Sequence, residues 1–145
     1  MTPINIFLDS DVVISSVLSK NGSAHFILAS SMFECFVSNY STKELRKVAE
    51  RTDLDFKSIK AILDKNTKTS VLRGSLKSFK KEYGQFVRDE DDAHIVAGAH
   101  KSKSKFLLTY NAKHYDIDKI KAELGITVIK PGNFLQYLRS QNKYS

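Results

Sequence analysis

Short apolar runs of strand length alternate along the chain with longer segments whose apolar residues recur at helical spacing, and this alternation limits the fold more than any other feature. Ile4-Asn5-Ile6-Phe7-Leu8 reads as a buried strand, and Phe33 to Ser38, Lys105 to Thr109 and Ile126 to Ile129 read the same way. Between them lie helical segments: 12 to 18, ending near Asn21-Gly22; Ser23 to Met32, with Ser23 as cap; and one starting at Ser41 that turns Leu45, Val48 and Ala49 inward. Further helices are predicted over 55 to 65, over Asp89 to about Lys101, over Ile117 to Leu124 with Gly125 as its stop, and over Asn133 to Leu138. Residues 68 to 87 have Leu72, Leu76, Phe79 and Tyr83 at helical spacing but also Gly74 and Gly84, which predicts a broken helical segment.

Strands separated by helices imply a parallel sheet covered on both faces. The expected architecture is α/β, a three-layer α/β/α sandwich around a central parallel sheet of about four to five strands. A length of 145 residues is near that of one ordinary domain, and with six glycines, two prolines and no repeat the whole span 1–145 is expected to be a single domain. The opening Met1-Thr2-Pro3 runs straight into a strand, too short and with the wrong flanks for a signal peptide. No stretch approaches the ~20 apolar residues that span a bilayer, so no membrane association is expected. The lone Cys35 excludes an internal disulfide and a thiolate metal site, and reads as a small core residue of a cytoplasmic protein.

The formal charge of +7 is concentrated. Between Lys43 and Lys81 stand twelve Lys/Arg against five Asp/Glu, while the rest of the chain balances at eleven against eleven. Such a block concentrates polyanions, which makes RNA or DNA the leading class of partner; a solvated lysine-rich helix face is the plain alternative.

In parallel sheets ligands bind beyond the carboxyl ends of the strands. Asp9 and Asp11 follow the first strand, Ser38 and Asn39 the second, and Thr109, Tyr110 and Asn111 a later one, so all three groups are expected on one edge. Asp9, Glu44 and Asp92, with Asn111, would make one divalent-metal pocket if the fold joins them. Each has a plainer reading. Glu44 lies three residues after Ser41, a capping-box spacing, and Asp92 three after Asp89, a helix N-terminal pattern. Ile95, Val96 and Ala99 put Asp92 on an inward face, where an acid needs a partner. Asp11 is expected to cap the helix that follows.

Five pieces in order, Phe7-Leu8-Asp9-Ser10-Asp11-Val12-Val13-Ile14-Ser15, Ser38-Asn39-Tyr40-Ser41-Thr42-Lys43-Glu44-Leu45, Arg88-Asp89-Glu90-Asp91-Asp92-Ala93-His94-Ile95, Phe106-Leu107-Leu108-Thr109-Tyr110-Asn111-Ala112-Lys113-His114-Tyr115 and Gly125 through Leu135, cover nearly the whole chain. Their order and spacing resemble the PIN-domain nucleases, with the bacterial toxin-like, VapC-like branch the nearest in pattern. The resemblance implies a ribonuclease that places three or four acids around Mg²⁺ or Mn²⁺ and hydrolyses phosphodiesters of mostly single-stranded RNA. By motif position it assigns Asp9, Glu44 and Asp92 as catalytic residues and metal ligands, with Thr109 and Asn111 shaping the fourth place. It also implies a cognate antitoxin and a homodimer, for which apolar residues on helices 41 to 63 are candidates that serve equally as core. The chain departs from the pattern in one respect: many members carry Asp at the position of Asn111 or of His114, and here neither is acidic. Asn still offers a carbonyl oxygen. Tyr40 and Tyr110 are candidates to stack a base, or else rim packing.

Asp9-Ser10-Asp11-Val12-Val13 also looks like the nucleophile motif of haloacid-dehalogenase-type phosphatases, but their final acidic pair follows the motif threonine, whereas Glu90-Asp91-Asp92 precedes Thr109. A response-regulator receiver would need an Asp closing its third strand, and Asp53 and Asp55 follow a helical run instead. The remaining rival is a PIN-like domain that binds RNA or a protein partner without cutting.

Overall fold

The computed structural model describes residues 2–141. Five strands form one wholly parallel sheet: β1 (Ile4–Leu8), β2 (Phe33–Ser38), β3 (Lys68–Ser70), β4 (Phe106–Leu108) and β5 (Thr127–Ile129), in the spatial order β3-β2-β1-β4-β5. Because successive side chains of a strand face opposite ways, the sheet feeds two cores. Ile6 and Leu8 of β1, with Phe33, Cys35 and Val37 of β2 and Leu108 of β4, pack on one face. That face is covered by α1 (Ser10–Leu18), α2 (Ser23–Ala29), α3 (Asn39–Arg51), α4 (Phe56–Asn66) and α8 (Pro131–Ser140). Phe7, Leu107 and Val128 turn to the other face, under α5 (Leu76–Tyr83), α6 (Ala93–Lys101) and α7 (Ile117–Leu124). This is the expected three-layer α/β/α sandwich. Cys35 lies within the first core, where burial pushes its thiol up to about 12, so it is an inert packing residue.

Helix α6 shows how closely the layers meet. Every residue from Ala93 to Ala99 is buried, the mark of a helix enclosed on all sides. A Cβ on Gly98 would lie 2.6 Å from Cε2 of the Phe7 ring, a distance real Cβ atoms do not tolerate. Glycine is therefore needed here for close approach, and α6 is seated directly on the central strand.

Four local expectations are corrected. Ser23 is the first residue of α2, preceded by Gly22 without a side-chain cap. The cap of α3 is Ser38, whose Oγ accepts from the Ser41 amide at 3.1 Å, so β2 passes directly into the helix and Ser41 with Glu44 forms no capping box. Residues 68 to 87 are not one broken helix: Lys68-Thr69-Ser70 joins the sheet edge beside β2, α5 follows, and Gly84–Phe86 is a single 3-10 turn. The last helix starts earlier than Asn133, at Pro131, whose fixed φ and missing N–H suit a first helical position. Gly125 ends α7 as expected, at φ 70. The apolar residues of the 41 to 63 helices are spent on the core: Leu45, Ala49, Ile59 and Leu63 are buried. No helix among the described residues is long and apolar enough to cross a membrane.

Candidate active site

Register brings the site together. Phe7 and Leu8 of β1 sit beside Leu107 and Leu108 of β4, and the Asp9 amide continues the ladder by donating to the Leu108 carbonyl at 3.0 Å. Asp9 and Thr109 therefore leave the sheet side by side at its carboxyl edge. Asp9 caps α1 through Oδ1, which accepts from the Ser10 amide at 2.8 Å. Its Oδ2 accepts from the Thr109 hydroxyl at 3.0 Å and from the Tyr115 hydroxyl at 2.8 Å. Thr109 is fully buried, and its Oγ1 also accepts from the Asn111 amide at 3.0 Å, so its own proton is directed at Asp9.

Tyr115 belongs to the site although no sequence pattern singles it out. The segment before α6 holds it there: Val87 bridges Tyr115, the Arg88 amide donates to the His114 carbonyl and the Asp116 amide to the Phe86 carbonyl, each at 2.9 Å. Burial and the neighbouring Asp9 carboxylate push the phenol pKa upward, so the hydroxyl stays protonated and donates. Asp9 is thus oriented by two buried hydroxyls. Tyr115→Phe removes one of them, and any cation-dependent activity of this site is expected to fall about tenfold in kcat at unchanged KM, as loss of an outer-shell partner of a metal-site acid would give. An unchanged kcat would show that Thr109 alone orients the carboxylate.

Asp11 is not a cap either. Its Oδ2 turns away from its own helix and accepts from the Tyr110 amide at 3.1 Å and the Asn111 side-chain amide at 3.0 Å, while Oδ1 is buried with no partner. Burial, reinforced by Asp9, raises its pKa to about 6. Asp92 also escapes its capping role. Asp89 caps the 3-10 turn Glu90–Asp92 by accepting from the Asp91 amide at 3.0 Å, and Asp92 makes no cap bond where the turn enters α6. Its carboxyl is pushed up by burial first, then by Asp9, Asp89 and Glu44, and is lowered only by His114, whose Nδ1 is 4.0 Å from Asp92 Oδ2. An imidazole thus stands beside Asp92 at one of the two positions where the family pattern has an acid.

Glu44, freed from capping, projects from α3 and pairs with Nε2 of His94 on α6, which is 4% exposed and whose Nδ1 has no partner. It lines a cleft of about 500 Å³ with Lys43, Lys47, Lys80, Tyr40, Glu90 and Asp91, which Asp9, Asp11 and Asp92 do not line. Tyr40 is engaged in packing: its hydroxyl donates to the Gly74 carbonyl at 2.5 Å and its ring meets Phe79 edge-on. Tyr110 is 39% exposed, its hydroxyl 3.2 Å from Ser15 Oγ.

Asp9 thus lies near enough to raise the pKa of both Asp11 and Asp92, and Glu44 near enough to raise that of Asp92, and among the described residues no Lys or Arg pairs with Asp9, Asp11 or Asp92. The buried side-chain polar atoms left without partners, on Ser10, Asp11 and His94, all belong to the site or touch it. Buried groups of this kind call for an ion or water. No three acidic, His or Cys side chains among the described residues are drawn tightly enough to enclose a metal by themselves. A hard cation such as Mg²⁺ is commonly held by one or two carboxylates and keeps waters or a substrate phosphate for the rest.

The PIN-domain sequence profile matches residues 5–113, three quarters of the chain and every candidate acid. The chain belongs to the PIN-domain family. No curated protein matches it by sequence. Solved structures extend the fold likeness past residue 113. VapBC-1 from nontypeable Haemophilus influenzae shares 16% identity at a TM-score of 0.61, covering 89% of this chain and 99% of that one. VapBC2 from Rickettsia felis, bound to a DNA fragment from its promoter, shares 12% at 0.57, covering 86% and 97%. Mycobacterium tuberculosis VapC20, a sarcin-ricin loop cleaving toxin, shares 16% at 0.53, covering 84% and 98%. This PIN domain therefore has the α/β fold of the VapC structures.

Proposed function

We propose that this PIN domain is a Mg²⁺- or Mn²⁺-dependent endoribonuclease of cytoplasmic location, the toxin of a toxin-antitoxin pair. The observation that carries the reading is the nearness of Asp92 to both Asp9 and Glu44, with no Lys or Arg among the described residues paired to Asp9 or Asp92. Asp9 and Asp92 would hold the cation, and Glu44, propped by His94, would join through water or orient the attacking water. When bound, the cation lowers the pKa of a water, polarises the phosphate and offsets charge in the transition state.

The chain's own groups do the rest. Thr109 and Tyr115 keep the Asp9 carboxylate fixed, and Asn111 holds the turn that carries Thr109. Lys43 and Lys47, on the wall of the cleft beside Glu44, would grip flanking phosphates and place the strand without reading its sequence. Lys80 already pairs with Asp91 at 2.9 Å and contributes less. Tyr110, exposed at the rim, is the better stacking candidate than the packed Tyr40. Lys43→Ala/Lys47→Ala should weaken RNA binding and lower the slope of log affinity against log salt by about 1.4, as two fewer single-strand phosphate contacts require. An unchanged slope would move the RNA path off this cleft.

The experiment that tests the reading incubates the full chain with a single-stranded RNA in Mg²⁺, in Mn²⁺ and in EDTA. Cleavage is expected with either cation and none with EDTA. A second reading, a domain that binds RNA or protein without cutting, is favoured by Asn111 and His114 in place of an acid; RNA retained but uncut under all three conditions would establish it. The likeness to VapBC structures supports an antitoxin partner; the homodimer is proposed on the family resemblance alone. Expression of the chain should arrest growth, Asp9→Asn should abolish the arrest, and a co-expressed product of an adjacent small reading frame should relieve it.

A further inference from the structure

The chain lacks an acid at both 111 and 114, yet the corner of the site near Asn111 is not without a carboxylate. Asp11 reaches it from the first turn of α1, beyond the carboxyl end of the neighbouring strand β1. Its Oδ2 accepts from the Asn111 side chain at 3.0 Å and the Tyr110 backbone at 3.1 Å, and lies 3.5 Å from Thr109 Oγ1. Those contacts fix the carboxylate plane. They occupy one oxygen, while Oδ1 is buried without a hydrogen bond of ordinary geometry, the adjacent Val12 amide lying only close enough to favour the charged form.

A residue serving only to tie down the 109 to 111 turn gains nothing from a buried free oxygen. Asparagine or serine at position 11 would accept from the Tyr110 amide without placing a second acid so near Asp9. Natural proteins keep such unsatisfied groups and like-charge neighbours mainly where a ligand uses them. We propose that Asp11 supplies the fourth acidic charge of the cation site, from the other side of the hydrogen bond that it shares with Asn111. The inference rests on the metal-nuclease reading above and adds a residue that the family pattern does not assign.

Mn²⁺ binding by the full chain without RNA, followed by calorimetry or by the loss of the free-ion electron paramagnetic resonance signal, tests it. Asp11→Asn should weaken Mn²⁺ at least about tenfold, the lower end of what loss of a mere outer-shell partner costs. The melting temperature without cation should be equal or higher, because a repelled, buried charge has gone. Asp11→Asn/Asn111→Asp, which returns the carboxylate to the other side of the same contact, should regain most of the affinity. Wild-type Mn²⁺ affinity in Asp11→Asn would overturn the inference, as would a loss that follows a fall in cation-free melting temperature and is not rescued by the double variant. If Asp9→Asn abolishes Mn²⁺ binding and Asp11→Asn does not, the nuclease reading stands and only the role of Asp11 falls. A wild type that takes up no Mn²⁺ overturns both.

Discussion

On the proposed function, Asp9→Asn and Asp92→Asn are each expected to lower RNA cleavage by more than about a hundredfold, beyond the 10–100-fold that loss of an outer-shell partner costs a metal site. The substitutions isolate charge from structure. Asparagine is as good an N-cap as aspartate, so in Asp9→Asn the new side chain can still accept from the Ser10 amide and cap α1. The Tyr115 and Thr109 hydroxyls can rotate to accept from its amide. Asp92 makes no cap bond to lose, and its neutral analogue relieves the repulsion from Asp9, Asp89 and Glu44 that pushes its carboxyl upward. Both variants should therefore melt no lower than the wild type without cation. The measurement is initial cleavage rate beside a thermal melt. Retained cleavage in either variant removes that residue from the cation site; lost cleavage accompanied by a large drop in melting temperature would show a structural role instead.

Gly98→Ala costs about 1–3 kcal/mol of folding stability, the usual penalty for overpacking a core. The sign is not obvious beforehand. In an open helix alanine would gain about 1 kcal/mol over glycine, and Gly98 has no positive φ that would strain a side chain. The Phe7 ring decides it: the added methyl would lie 2.6 Å from Cε2 of a side chain with no exposed surface, on the central strand. Relief requires Phe7 to leave its place among Leu107, Ile95 and Val96, or α6 to lift away from the sheet. The second response would also carry Asp92 and His94 outward, so cleavage should fall along with stability. Urea denaturation measures the first effect. A Gly98→Ala protein as stable as the wild type would mean that α6 is not pressed onto β1.

Where burial imposes a period, the sequence is transparent. The apolar runs of β1, β2, β4 and β5 each have to be enclosed on both faces, and their expected bounds agree with the structure within a residue. β3 gives no such signal, because Lys68-Thr69-Ser70 is a polar edge strand held by backbone pairing to β2. The carboxyl-edge rule places Asp9, Thr109 and Asn111 together, since register in a parallel sheet follows from the strands themselves. Side-chain direction does not follow. Asp11 reads as a cap because nothing in the local sequence distinguishes a first-turn acid turned toward its own helix from one turned toward a turn about a hundred residues away. Tyr115 is hidden because its reach to Asp9 depends on the pairing of Val87 with Tyr115, a contact between segments of no regular pattern. His94, inside an apolar run, gives no sign that it faces Glu44 rather than the core.

The chemistry of the cut ends tests the central claim most directly. Water attack assisted by a cation among Asp9, Asp92 and Glu44 leaves a linear terminal phosphate, whereas attack by the neighbouring 2′-hydroxyl, which needs no such pocket, leaves a 2′,3′-cyclic phosphate. End-group analysis of RNA cut by the purified chain in Mn²⁺ should give linear phosphate ends from the start of the reaction, and these should disappear with EDTA and with Asp9→Asn. Cyclic phosphates that persist through both treatments would contradict the account.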